Sequence, residues 1–254
     1  MMTPSSHTWV LLRGLTREQG HWGDFPARLA AALPPGSAVL TPDIAGNGAR
    51  CGEASPATVP DLLDDVRAQL PKGCGPFKVV AMSLGAMMTA HWAHQYPNEL
   101  HSAVLINTSL RPFSRFWQRL RPRQYPSILR LLLTQPEPAA WEQAILQMTT
   151  RHAPDTQAVL KRWIALREQH PVSTSNAWAQ LRAAIRYRAP LGAPSVPLLL
   201  LNGLGDQLVH PDCSAQLAHA WHCPLLRHPT AGHDLPLDDP QWVIQQVTGW
   251  SPRA

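Results

Sequence analysis

Residues 79–88 read VVAMSLGAMM, an apolar run broken by one serine, Ser83. Two readings compete for it: a buried serine where a strand meets a helix, or a nucleophile on a tight turn. The spacing of small residues bears on the choice. Ala81 and Gly85 stand two positions to either side of Ser83. A sharp strand-to-helix turn holds its central residue in a strained conformation, and bulk two residues away on either side would clash. Such a turn lifts the hydroxyl beyond the carboxyl end of the strand. There the amide of Leu84 and the amino end of the following helix can face a developing negative charge. The chemistry would be attack by a serine oxygen on an electrophilic carbon, which requires a base to take the hydroxyl proton.

That chemistry needs a strand before Ser83 and a helix after it, and the rest of the chain follows the same rhythm. Short apolar runs at 7–14, 37–43, 77–83, 102–108, 196–203 and 223–229 each fit a buried strand. They lack strict alternation, as strands covered on both faces do. Helical patterns lie between them, around 23–33, 58–70, 84–96, 212–221 and 239–249. Strands alternating with helices predict a parallel sheet with helices on both faces. One connection departs from the pattern. Between the strand ending near Thr108 and the one starting near Val196, the chain places apolar residues three and four apart in WEQAILQMTT, TQAVLKRWIALREQH and NAWAQLRAAIRYR. An unstructured loop of that length is improbable in a compact domain. The expectation is a core of residues 1–110 and 195–254, with a helical cap of residues 111–194 inserted between two core strands.

The motif Ala81-Met82-Ser83-Leu84-Gly85, in its strand-turn-helix setting, resembles the nucleophile elbow of the α/β-hydrolase fold family, in which alanine at the first small position is a known variant. PDIAGNG at 42–48 resembles the family's structural turn after the second strand. The likeness runs over residues 7–110 and 195–250, and it implies an α/β fold with a six-stranded, all-parallel sheet, lacking two leading antiparallel strands. It also implies an acid and then a histidine downstream of the nucleophile. LLLLNGLGDQLVHP ends a predicted strand and offers Asp206; TAGHDLPLDDP follows the last strand and offers His233. Asp212, Asp234, Asp238 and Asp239 compete as the acid. Asp234 adjoins the histidine and would have to fold back onto it, and Asp212 falls in or near the following helix, so Asp206 is the best placed. The family's occasional alternative acid position, after the next strand, reads Asn107-Thr108 here and cannot ionise. In the implied triad His233 is the base, and Asp206 orients it and stabilises the imidazolium.

The oxyanion would be held by two backbone amides, those of Leu84 and Leu15. The family usually has His-Gly at the start of the latter loop, whereas this chain has Arg13-Gly14. A backbone N–H suffices there, although the substitution leaves open what supports the loop. Trp22 matches a recurrent aromatic of that loop, and either lines the site or simply packs. The implied activity is a serine hydrolase cleaving a carboxylic ester or thioester through an acyl-enzyme on Ser83. The same fold and triad also serve acyl transfer, perhydrolysis or proton abstraction on a small acidic metabolite. A non-catalytic binder would have no use for all three triad residues.

Charge adds a substrate hint. The formal net charge is +5, yet the stretch from Leu110 to Ser195 carries twelve arginines and one lysine against Glu137, Glu142, Asp155 and Glu168. A basic insertion on an acidic body attracts an anionic ligand, or is a solvated set of helix faces. Arg111, Arg115 and Arg119 are four apart and would share one face if helical, as either a clamp for a carboxylate or phosphate or a solvent-facing stripe. Trp117, Trp141, Trp163 and Trp178 fall in the cap and could wall an apolar pocket.

Other classes find little support. No run of 18 apolar residues appears, so no membrane span is expected, and the amino end lacks the basic region of a secretory signal. The expected location is cytoplasmic. Cys51, Cys74, Cys213 and Cys223 are scattered without a CxxC pair, which argues for reduced thiols. The pairs His91/His94 and His219/His222 lack a third ligand, so no metal is expected. GNGARCG lacks the spacing of a phosphate loop, so no cofactor is expected, and the basic residues follow no nucleic-acid signature. The expected partner is a small-molecule acyl substrate. Oligomeric state is not legible.

Overall fold

The computed structural model describes residues 6–251. Six strands form one sheet: β1 (Thr8–Leu12), β2 (Ala38–Leu40), β3 (Phe77–Met82), β4 (Leu100–Ile106), β5 (Leu198–Gly203) and β6 (Leu225–His228). Their order is β2-β1-β3-β4-β5-β6, and every pairing is parallel. The six predicted runs are these six strands.

The four central strands are buried on both faces, the edge strands β2 and β6 less so, and residue parity decides which side chain goes where. Val10, Leu12, Val79 and Ala81 face one apolar layer, with α2 (Val59–Gln69), α3 (Leu84–Gln95) and the later α9 (Asp212–Trp221) against it. Trp9, Leu11, Val80 and Met82 face the other, under α1 (Phe25–Ala32) and α11 (Pro240–Gly249). The helices start where side chains satisfy free amides. Thr58 accepts from the Asp61 N–H at the head of α2, and Asp239 accepts from the Trp242 N–H at the head of α11.

Between β4 and β5 lie α4 (Phe116–Arg119), α5 (Tyr125–Thr134), α6 (Pro138–Thr149), α7 (Thr156–Gln169) and α8 (Thr174–Arg186). Their own apolar centres are small, one around Leu131, Trp141 and Ala177 and one around Leu146 and Trp163. Polar side chains pin the insertion to the sheet domain. Gln180 accepts from the Thr16 N–H at 2.8 Å and donates to Asn47 at 2.9 Å. Asn176 accepts from the Ser55 N–H at 2.9 Å and donates to the Glu53 carbonyl at 2.9 Å. A short α10 (Leu235–Asp238) precedes α11. Among the described residues no helix is long and apolar enough to cross a membrane.

Candidate active site

Ser83 follows β3 directly and caps the amino end of α3, with φ 54° and ψ −116°. A non-glycine residue rarely adopts this backbone, and the surroundings hold it there. Its N–H donates to the Ile106 carbonyl at 3.0 Å, and its carbonyl accepts from Thr108 Oγ1 at 3.2 Å. Its own hydroxyl makes no capping bond. The need for glycine at 85 is steric: a Cβ there would lie 2.5 Å from the Leu12 carbonyl oxygen and 2.7 Å from that of Arg13. Gly14 is close for the same kind of reason, since its Cβ would meet Ser83 Cβ at 3.2 Å. The loop after β1 is thus laid against the elbow.

Asp206 and His233 come together from the loops after β5 and β6. His233 Nδ1 donates to Asp206 Oδ2 at 2.7 Å, with both side chains buried. That bond places the ring proton on Nδ1 and leaves Nε2 as an acceptor. The other Asp206 oxygen accepts from the N–H groups of Leu208 and Val209 at 2.8 and 2.9 Å, so the carboxylate cannot turn. The histidine loop has further supports. Asn107, at φ 46°, donates to the carbonyls of Gly232 and His233 at 3.0 and 2.8 Å and accepts from the Gly203 N–H at 3.0 Å. Asp238 accepts from the Gly232 N–H at 2.6 Å, and burial pushes its carboxyl above the ordinary range.

Ser83 and His233 line one cavity of about 390 Å³, together with Gly14, Leu15 and Thr16. Its walls are mostly apolar: Met87 comes from α3, and Leu131, Leu132, Trp141 and Met148 come from the helical insertion.

The model of the alpha/beta hydrolase fold matches residues 10–240. The chain belongs to the alpha/beta hydrolase fold family. It is an esterase-like hydrolase, similar to two proteins named pimeloyl-[acyl-carrier protein] methyl ester esterase. The one from Aeromonas hydrophila is 27% identical over 198 residues, covering 72% of this chain and 76% of that protein. The one from Aeromonas salmonicida is 26% identical over 235 residues, covering 87% and 90%. Among solved structures, a thermophilic esterase from Thermogutta terrifontis superposes with a TM-score of 0.74 at 20% identity, covering 98% of this chain and 90% of that one.

Not every residue singled out in the sequence sits at this alpha/beta hydrolase site. Trp22 does not line the cavity; it is buried, stacked on Phe25 with ring centroids 5.3 Å apart. Arg111, Arg115 and Arg119 do not share a helix face. Helix α4 is only four residues long and starts after Arg115, while Arg111 is exposed and pairs by a backbone bridge with Arg188. Arg115 is exposed and lies over the Trp117 ring. Arg119 alone of the three lines the cavity. Its Nη1 and Nη2 donate to the Ile185 and Ala184 carbonyls at the carboxyl end of α8, where a cation is favourable. Burial lowers its pKa to about 10. Of the insertion's tryptophans, Trp141 lines the cavity, Trp163 is buried beneath Arg17, and Trp117 and Trp178 are exposed.

Three residues with roles here escaped the sequence reading. Asn107 registered only as a residue that cannot ionise. Arg13 registered as a departure from His-Gly, and Asp234 as a rejected acid. Arg13 and Asp234 form a two-pronged ion pair, at 3.1 and 2.6 Å, across 221 residues of chain. No local pattern announces a pair so distant.

Proposed function

We propose that this alpha/beta hydrolase cleaves carboxylic esters, thioesters included, through an acyl-enzyme on Ser83. The carrying observation is the 2.7 Å bond between His233 Nδ1 and Asp206 Oδ2 on a cavity shared with Ser83. In this reading Nε2 of His233 takes the Ser83 proton as Oγ bonds to the acyl carbon. The amides of Leu84 and Leu15 hold the resulting oxyanion. The imidazolium then gives its proton to the departing alkoxide or thiolate, and the C–O or C–S bond breaks. Water, deprotonated by His233, attacks the acyl-enzyme and releases the acid. Asp206 keeps the ring in the useful tautomer throughout.

The apolar walls favour an acyl chain of several carbons, and residues 111–194 act as a cap over it. The Aeromonas relatives are named for the methyl ester of a carrier-bound acyl chain, which fits that class. The test uses p-nitrophenyl esters of butyrate and octanoate. Turnover should vanish in Ser83→Ala, and a fluorophosphonate should label the native protein but not the variant. Retained turnover or labelling in the variant refutes the assignment.

A further inference from the structure

Arg13 immediately precedes Gly14, which abuts Ser83, and Asp234 immediately follows His233. Their side chains are 5% and 4% exposed. Arg13 Nη1 also donates to Met82 Sδ at 3.0 Å, the side chain just before Ser83. The guanidinium lies 4.8 Å from the centroid of the Trp22 ring. At the other end, the Asp234 N–H donates to the Thr149 carbonyl at 2.8 Å, and its carbonyl accepts from the N–H groups of Leu237 and Asp238. One pair therefore joins the loop after β1, the elbow after β3 and the loop after β6.

We infer that Arg13 and Asp234 are a positioning pair for the proposed ester hydrolysis, set as a fixed dipole along the direction in which charge separates. A buried ion pair gains little net stability over apolar side chains of the same volume. Its use has to be sought in geometry or field. In the transition state negative charge grows on the carbonyl oxygen, beside Gly14 and Leu84, and positive charge grows on His233. Arg13 adjoins Gly14 in the chain and Asp234 adjoins His233, and both line the cavity shared by Ser83 and His233. Both are locked before substrate arrives, so no reorganisation is needed as the charges form. The pair also ties down the start of the loop after β1, where Arg13 meets Met82 and Asp234.

The inference rests on the ester-hydrolase reading, and the two can fail separately. If the native protein does not turn over p-nitrophenyl butyrate, that reading fails. If it does, three variants test the pair: Asp234→Asn, Arg13→Gln and the double variant, each with active sites counted by fluorophosphonate labelling. The expected kcat per labelled site falls about tenfold to a hundredfold in each, with KM within about twofold. The acid limb of kcat/KM provides a signature that a purely structural role would not produce. Asp234→Asn leaves a lone cation, which disfavours the imidazolium and moves the limb down by about one pH unit; Arg13→Gln leaves a lone anion and moves it up. In the double variant the limb returns to its native position while kcat stays low. If a single variant fails to fold, the double variant, free of lone buried charge, carries the test through its kcat. Native kcat per labelled site in the variants, or a shift of the limb in the same direction for both single variants, overturns the inference.

Discussion

Replacing Asn107 by alanine should disable both stability and turnover. Its amide makes three buried bonds: to the Gly232 and His233 carbonyls, and from the Gly203 N–H. The residue is 1% exposed, so water cannot replace them without opening the site. Each lost bond costs about 1 kcal/mol net, or up to about 3 where the partner is left unpaired. Alanine at a φ of 46° costs roughly a further 1 kcal/mol, since asparagine tolerates the left-handed region better. The expected loss is at least about 4 kcal/mol, a large part of a typical domain's stability. Urea unfolding followed by tryptophan fluorescence measures it. Asn107→Asp separates packing from hydrogen bonding. It keeps the shape and the acceptor for Gly203, but turns an oxygen toward two carbonyl oxygens. The introduced carboxyl should therefore hold its proton to a higher pH in the folded state than in the unfolded state. Stability of that variant then falls as pH rises from about 4 through the folded pKa, relative to the native protein. A loss below about 1 kcal/mol in Asn107→Ala, or parallel pH profiles for Asn107→Asp and the native protein, would refute the role given to this side chain.

Three further outcomes are expected. Asp206→Asn should lower kcat by about 10⁴ with a small change in KM, because an amide no longer enforces the Nδ1–H tautomer; p-nitrophenyl butyrate kinetics will show it. Gly85→Ala should destabilise the fold by about 1–3 kcal/mol or more and cut turnover, because its Cβ would meet two backbone carbonyl oxygens that cannot swing away; a thermal melt with parallel kinetics decides. Burial raises the Asp43 pKa to about 6. At this group the folded state then binds more protons than the unfolded state between about pH 4 and 6, so the contribution of Asp43 to stability falls as pH rises through that window. Asp43→Asn, which can still accept the Gln19 N–H, should remove that fall and be the more stable protein above pH 6. Parallel unfolding midpoints at pH 4, 5, 6 and 7 would contradict this.

The four central strands were legible because each is a short apolar run whose two faces are both buried, as in LLLLNG at β5, whereas the edge strands β2 and β6 are less buried and were read from their apolar residues alone. Ser83 stood out because the elbow's close approach to the Leu12 and Arg13 carbonyls tolerates only glycine at 85, and a steric demand of that kind is written in residue size. Charge was less legible than size. The arginine spacing at 111, 115 and 119 suggested a clamp on the assumption of a continuous helix, but α4 begins only after Arg115. A guanidinium says nothing by itself about which carboxylate it will meet, and the partner of Arg13 lies at the far end of the sequence.

The contrast between Arg13 and Asn107 shows what the carboxyl edge of this sheet has to provide. Three loops, after β1, β5 and β6, are brought around the elbow, and side chains tie them to one another beside the backbone bonds from Leu204 to His228 and from Gly205 to Ala231. Asn107 ties the β5 and β6 loops from beneath through backbone groups, whereas Arg13 ties the β1 and β6 loops through a side chain. The left-handed conformations of Ser83 and Asn107 fall at the ends of adjacent strands, β3 and β4, joined there by the bond from the Ser83 N–H to the Ile106 carbonyl. Strain is tolerated where the sheet register is already fixed on both sides. Loss of either tie should weaken the seat of His233 and disturb the angle of its ring. Combined loss of Asn107 and Arg13 should therefore cost more activity than the product of the single losses, because each tie limits the damage done by removing the other.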